Sequence, residues 1–511
     1  DNADRGSYEE TNTQILNYDG DLSVTYGKLF NEKHMINVVG GMRLSQNSSN
    51  KSGYKVQGFI DDEFSNPAFA LGYQEDGKAT YTDSKNRALS YYLNFGYSYD
   101  DRYLLDLNYR ADGSSVFGSD KQFTNTWSVG LGWNIHKEAF FSDIEGISLL
   151  KLRASIGNPG NQNFDDYIST RIYSYNTDNM NIFGSSAIVS NLGNRNLEWQ
   201  KTLDRNIGFD IIFLDNRLRV NFDYFNKRTD PLLVQIGTAS STGVKTLPRN
   251  VGKQITEGIT LTMNYSIIRR EDMFWSVNMN LRHQTSEYKE VSEVLTKYNL
   301  DNRNRNLTRY YDGGSPSDLW AVRSCGIDPA TGREIFLDKN GEQTFVHNYD
   351  DEVVVGNSDP KVEGVIGTSF YYKGFSASIN LRYRLGGQIF MQTLYDKVEN
   401  LSSSKKWENL DKRALYDRWK QPGDQAKFKS IASSEVTPIS SRFVEDNNVL
   451  SGESISLGYE STAPWLKHIG ASSMSVRAYM NDIFRISTVK NERGLSYPFA
   501  RSVSFSLGVT F

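Results

Sequence analysis

The residue types able to do chemistry are few, and their spacing does not favour it. The five histidines, His34, His136, His283, His347 and His468, form no HExxH pattern and no close metal pair. His34 and His136 fall at short turns, where a solvated imidazole is the simpler reading. The single cysteine, Cys325, excludes a disulfide framework and any cysteine-built zinc or iron–sulfur site. With no histidine partner indicated, it reads as a reduced loop or strand residue rather than a nucleophile. There is no GxSxG elbow and no phosphate-binding loop, and Gly130 and Gly132 lack a third glycine at the dinucleotide spacing. Asp61, Asp62 and Glu63, and the pair Asp165–Asp166, could bind Ca²⁺, against the simpler reading of solvated loop carboxylates. Asp338, Asn340 and Gly341 resemble part of a calcium loop, but the closing glutamate is missing and Asn-Gly signals a hairpin turn. The expectation is no enzyme, no resident metal and no cofactor.

Aromatic side chains in long polar segments are the stronger candidates. Tyr310, Tyr311 and Trp320 lie in the segment 287–361, and Trp407 and Trp419 lie in 386–447. Aromatic faces stack on sugar rings and peptide groups, and Asp318 and Arg323 could fix polar groups beside them. The alternative is that these rings pack the loops together or against a partner. Loops of this length usually carry function.

The elements that must position these loops are strands. Aromatics make up 13% of the chain although apolar residues reach only 38%, and the 30 tyrosines outnumber the 27 phenylalanines. Amphipathic rings are favoured where one end is dry and the other wet. Period-two alternation runs through long segments. At 91–99, Tyr91, Leu93, Phe95, Tyr97 and Tyr99 share one face, with Ser90, Asn94, Gly96 and Ser98 on the other. Segments 103–110 and 127–135 repeat the pattern, as do NIGFDIIFL, LRVNFDYF, FWSVNMNLRH, FSASINLRYR, SMSVRAYMND and the terminal 502–511. These runs span roughly 9–14 residues, against about 5–6 for strands of soluble domains, and are long enough to cross a bilayer at a barrel's tilt. No apolar run of about 18 residues exists, so no transmembrane helix is expected. The charge balance of 57 cationic against 61 anionic residues gives no basic footprint for nucleic acid.

The connections alternate in length. Short ones fall at 29–33, Asp100–Asp101, Asp215–Asn216, 269–272 and Lys373–Gly374. Long ones span roughly 46–86, 157–198, 229–249, 287–361 and 386–447. Short turns at one end and long loops at the other mark an outer-membrane barrel, with the C-terminus periplasmic and the long loops extracellular. The turns at 136–148 and 461–472 are longer than the other short-side connections. About fifteen strands are expected, an odd number for a bacterial single-chain barrel. An open sheet in lipid would leave unpaired edges. The chain, 1–511, therefore reads as the C-terminal part of a larger barrel.

An ordered set of motifs runs along the chain: RADGSSVFG (110–118), WSVGLGWNIHKEAFF (127–141) and LKLRASIGNPGNQ (150–162). LEWQKTLDRNIGFD (197–210), YFNKRTDPLL (224–233), GIDPATG (326–332), YKGF (372–375), RWKQPGD (418–424), SRFVEDNNVLSGESISLGYE (441–460) and YPFARSVSFSLGVTF (497–511) follow. Together they resemble, in the expected order, the motifs of a known family, the SusC/RagA-type TonB-linked outer-membrane transporters of Bacteroidetes. The stretch LSGESISLGY departs from the arginine-rich version that many relatives carry.

The resemblance implies an all-β, transmembrane antiparallel barrel of 22 strands, filled by an N-terminal plug that is preceded by a TonB box. No plug or TonB box is recognisable in this chain. It further implies import of nutrient oligomers, most often glycan oligosaccharides and next peptides. Import would be shared with a SusD-like surface lipoprotein and energised by TonB–ExbB–ExbD. A siderophore or cobalamin receptor is the runner-up within transporters. A non-transporting adhesin or binding scaffold is the reading from another class.

Overall fold

The computed structural model describes residues 6–59, 61, 63, 66–73, 77–115, 123–141, 144–159, 171–182, 184–194, 196–198, 200–238, 240–291, 293–402, 410–490 and 500–511. Two compact units form. One comprises Asp1–Leu131, Ile156–Leu203 and Pro231–Asn250, and the other Gly132–Ser155, Asp204–Asp230 and Val251–Phe511.

In the first unit the long strands are β1 (Ser7–Phe30), β2 (His34–Phe59), β3 (Thr80–Tyr99), β4 (Tyr103–Ser114) and β5 (Phe123–Asn134), hydrogen-bonded in chain order. The turns from β1 to β2 and from β3 to β4 are tight because consecutive residues take the left-handed conformation. Asn31 and Glu32 have φ of 48° and 56°, and Asp100 and Asp101 have 50° and 52°. That geometry matches the right-handed twist of the flanking strands. The register then sorts the alternation. Leu93 faces Tyr109, Phe95 faces Leu107 and Tyr97 faces Leu105. Across the other edge of β3, Phe95 faces Val38 and Tyr97 faces Ile36. This face is apolar and open, with Val24 73% exposed. On the opposite face Arg43 pairs with Asp19 at 2.6 Å, Tyr92 donates to Asp21 at 3.0 Å, Arg110 and Ser90 both reach Asp112 at 2.6 Å, and Asn108 donates to Ser128 at 3.0 Å.

In the second unit the ladder is β6 (Ile147–Asn158), β7 (Thr202–Phe213), β8 (Leu218–Thr229), β9 (Lys253–Arg269), β10 (Met273–Lys289), β11 (Val362–Tyr372), β12 (Phe375–Leu385), β13 (Val449–Ser461), β14 (Ser473–Ser487) and β15 (Val503–Thr510). The same division holds. Arg153 bridges Asp210 and Asp223 at 2.9 Å each, and Asn380 donates to Ser454 at 3.0 Å. On the other face Trp275, Phe370, Ala377, Ile379, Ile455 and Leu457 line an open apolar hollow, where the Trp275 indole N–H donates to Thr368 at 2.9 Å. Strands apolar on one open face and polar on the other are what a lipid-spanning barrel wall requires. Among the described residues the sheet has fifteen long strands, in line with the expected number, and the short strand Ala70–Tyr73 pairs with β2 beside them. Among the described residues no helix is long and apolar enough to cross a membrane.

The connections depart from expectation in extent. Much of the segment 46–86 is strand: β2 and β3 stay in register out to Gly53 opposite Thr80. The reason is compositional. Ser, Asn, Lys and Thr replace apolar residues there, which removes the alternation signal without stopping backbone pairing. Within 157–198, Ile172–Asn181 pairs with Gly184–Asn191, and at 229–249 Leu233–Gly237 pairs with Thr246–Asn250. Each of these two segments therefore contains a paired hairpin.

Candidate functional site

The connections 290–361 and 386–448 of the second unit build a folded cluster of their own. Helix α1 (Glu293–Asp301) leads into a four-stranded sheet made of Asp318–Ile327, Glu334–Leu337, Gln343–Thr344 and Glu352–Asn357. Asn340–Gly341 turns the hairpin between Leu337 and Gln343: Gly341 N–H donates to the Asp338 carbonyl at 3.1 Å and Glu342 N–H to Asp338 Oδ1 at 2.8 Å. The hairpin reading of this segment therefore holds.

Three sequence motifs interlock in this cluster. In DPATG, Asp328 accepts from the Thr331 hydroxyl at 2.5 Å and from the backbone N–H groups of Ala330 and Thr331 at 3.2 Å. The Thr331 hydroxyl, then those amides, hold its carboxyl below the usual range. The turn leaves Gly332 left-handed at φ 73°, directly against the Trp419 indole, where a Cβ would overlap the ring. From RWKQPGD, both the Trp419 indole N–H (2.9 Å) and the Gly423 N–H (2.8 Å) donate to the Pro329 carbonyl, so one carbonyl joins the two motifs. Arg418, buried, donates to the carbonyls of Ala414, Val398 and Lys429.

The third motif supplies the electrostatic centre. Arg442 reaches Glu334 at 2.9 Å and Glu399 at 2.6 Å, and all three side chains are at most 10% exposed. Ser440 donates to Glu334 at 2.6 Å and Thr437 to Glu399 at 2.8 Å. Burial works against the guanidinium charge, but the two carboxylates outweigh it and hold Arg442 above its ordinary value. Beneath lie Val398, Phe428 and Phe443, with Phe390, Leu394 and Tyr395 packed on them. Above is a pocket of about 310 Å³ whose wall includes Arg333, Phe345, His347, Trp419, Lys429 and Val436. Burial pushes the Lys429 ammonium down, and its Nζ has neutral partners, Asn400 Oδ1 and the Glu435 carbonyl. Burial also lowers His347, whose Nε2–H donates to the Ile439 carbonyl at 3.3 Å. The pocket can offer cations, the exposed Glu435 carboxylate, aromatic surface and hydroxyls.

Of the residues expected from sequence, Trp419 alone lines this pocket. Tyr310 packs between Tyr288 (5.0 Å) and Tyr298 (5.3 Å), while its backbone pairs with the Asn299 side chain; burial pushes its phenol up. Tyr311 and Trp320 sit together, with ring centroids 4.7 Å apart. Asp318 accepts from Ser315 N–H at 2.7 Å and from Asn357 at 2.9 Å, and Arg323 donates to the Asp338 carbonyl at 2.7 Å. All five make contacts inside the cluster. Trp407, Asp62 and the pair Asp165–Asp166 lie outside the described residues. Asp61 accepts from the Glu63 N–H at 3.0 Å as a simple turn. Among the described residues no group of three or more His, Cys, Asp or Glu is placed to hold a metal. Sequence reasoning missed Arg333, Phe345, His347, Lys429 and Arg442. The segments that meet there are far apart in the chain, with Arg442 and Glu334 separated by 108 positions, and only the motif membership of Arg442 could have pointed to the site.

Comparison with known proteins gives a consistent picture. Residues 1–401 match the family described as TonB dependent receptor-like, beta-barrel. TonB-dependent receptor P39 of Formosa agariphila is 26% identical over 95% of this chain and 50% of its own length. TonB-dependent receptor SusC of Bacteroides thetaiotaomicron is 25% identical over 84% of this chain and 44% of its own. The structure of the RagAB peptide transporter superposes with a TM-score of 0.84 at 18% identity, over 95% of this chain and 53% of that one. The chain thus spans about half the length of the curated relatives it matches. With strands apolar on one face and polar on the other, as the wall of an outer-membrane barrel requires, the chain belongs to the TonB dependent receptor-like, beta-barrel family.

Proposed function

We propose that this chain supplies the wall and long loops of an importer that carries oligosaccharides across the outer membrane. The single observation behind this reading is the folded loop cluster: a pocket with aromatic, cationic and hydroxyl groups, carried on a chain of this receptor family. Aromatic surface beside fixed polar groups is the combination that holds a sugar ring. A plug and its TonB contact lie outside these 511 residues, and a SusD-like lipoprotein shares the cargo from the long-loop side, which faces outward. Trp419, and the paired rings of Tyr311 and Trp320, are the proposed substrate contacts. No covalent chemistry takes place; the work is binding and gated release. Deleting the whole gene abolishes uptake of one oligosaccharide class. Unchanged growth on every oligosaccharide tested overturns the reading. Peptide cargo is the second reading, supported by the fold likeness to a protein described as a peptide transporter.

A further inference from the structure

The apolar face of the second unit is dented near its short turns. Residues directly opposite on paired strands share a face, and one such row runs Trp275, Phe370, Ala377 and Leu457 across β10, β11, β12 and β13. Ala377 is the one small side chain in that row. Phe370 and Leu457 stand on either side of it, and Phe375 and Ile379, two positions away along β12, close the frame. The missing bulk leaves an open hollow of about 540 Å³, with Trp275, Thr368, Phe370, Ala377, Ile379 and Leu457 in its wall. The polar groups of Trp275 and Thr368 are already engaged. The indole N–H donates to the Thr368 hydroxyl at 2.9 Å, and that hydroxyl donates to the Ser276 carbonyl at 3.0 Å. An ordered water needs several polar partners, and this lining offers few.

Two features bear on what covers the hollow. It is continuous with the face that an outer-membrane barrel turns to lipid. The neighbouring row toward the turns, Tyr372, Phe375 and Tyr459, is exposed and aromatic, as the headgroup level of a bilayer favours. Ala377 stands three positions beyond Gly374, about 10 Å along the strand, so it meets the first methylenes below the headgroups. Short turns of such barrels lie on the periplasmic side, in the leaflet built of phospholipid. We propose that this hollow seats one acyl chain of a periplasmic-leaflet phospholipid, bent in over Ala377 and packed between Phe370 and Leu457. On a flat wall a chain touches protein on one side; in the hollow it touches protein on three, which distinguishes a held lipid from the exchanging ones around it. Headgroup charge plays no part, because the adjoining turns carry Arg269, Arg270 and Lys373 against Glu271, Asp272 and Glu460.

The test uses the full-length protein in detergent, freed of lipid, titrated with palmitoyl-oleoyl phosphatidylethanolamine and read by native mass spectrometry. One lipid binds ahead of the rest. Ala377→Phe fills the hollow from the lipid side; losing the burial of about two methylenes weakens that lipid roughly tenfold. Ala377→Leu gives a smaller loss in the same direction and carries the test if the phenylalanine variant does not fold. Ala478→Phe, opposite Leu457 on β14 and outside the hollow, changes binding by less than about twofold. Phosphatidylglycerol with the same chains binds as tightly as phosphatidylethanolamine. Equal retention in the parent and the filled variants, or an equal loss in Ala478→Phe, overturns the site. Tighter binding of lipid A than of either phospholipid moves the hollow to the other leaflet and overturns the assignment. A dimer that Ala377→Phe dissolves, with no lipid held, gives the hollow to a second copy and overturns it as well. None of these outcomes touches the import reading, which stands or falls on uptake.

Discussion

The Glu334–Arg442–Glu399 centre predicts a large and local response to one substitution. Arg442→Met keeps most of the side-chain volume and removes the charge, leaving two carboxylates with side chains 6% and 0% exposed and no cation between them. Breaking a buried ion pair by removing one partner costs about 3–5 kcal/mol. The hydroxyls of Ser440 and Thr437 and the Lys429 N–H remain, so the lower half of that range is expected here. At about 1.4 kcal/mol per factor of ten, the opening population rises roughly a hundredfold or more. Hydrogen exchange on the full-length protein in detergent reads this directly, in peptides covering 334–337, 398–400 and 437–443. Exchange speeds up there, while β9 and β10, paired through their own ladder, keep their protection. Adding Glu334→Gln and Glu399→Gln to Arg442→Met restores most of the protection, because no uncompensated charge is then buried. Exchange within threefold of the parent in Arg442→Met would refute the assignment of this triad as the clasp of the loops.

Further outcomes follow from other contacts. Arg309→Met loosens the loop at 299–310 by a similar amount, since its guanidinium is fully buried on Glu352 at 2.7 and 3.0 Å and also reaches the Asn306 and Thr308 carbonyls; Asp350→Asn, at the open Arg303 pair, changes the same exchange by less than about 1 kcal/mol. The folded His347 is held below its ordinary value by burial, so it stays neutral while the open segment takes up a proton as pH falls through about 6.5. Loop stability near 345–349 and 436–443 is thus full above that pH and declines below it, and exchange corrected for intrinsic rates at pH 7.5 and 5 shows the loss, which His347→Gln flattens. Gly364→Ala drives a Cβ into the Asn280 carbonyl and the Tyr383 hydroxyl across β10 and β12; it lowers barrel stability by about 1–3 kcal/mol, seen as a lower temperature for loss of heat-resistant migration in detergent gels. Gly20→Ala, with open space around it, leaves that temperature unchanged.

The wall was readable in the residues because one physical rule governs each strand. Tyr91, Leu93, Phe95 and Tyr97 share a face whatever happens elsewhere, and the registers show them opposite apolar partners. The tight turns were equally legible, since Asp100–Asp101 and Lys373–Gly374 sit between clear alternations. Strand length was less so. Residues 46–59 pair as strand although their polar composition carries no periodic signal. The pocket was hidden for a different reason. Trp419 was visible as a loop aromatic, but Glu334, Glu399 and Arg442 meet only after three separate segments fold together, and no local pattern encodes that meeting. Tyr310 and Asp318 had the right chemistry for a ligand; the structure instead engages both in the loops' own packing and hydrogen bonds.

The length of the first hairpin has a mechanical consequence. β1 runs for 24 residues and β2 for 26, paired without a break in register. Only about ten residues of a tilted strand are needed to cross the hydrocarbon, so more than half of this hairpin lies beyond it. At about 3.3 Å per residue, the excess is a beam some tens of ångströms long. β3 is laced along its flank as far as Gly53 and Thr80. Shared rungs along β2 stiffen this beam relative to a lone hairpin. A sideways push at its tip is therefore carried, as torque, toward the place where the strands enter the bilayer.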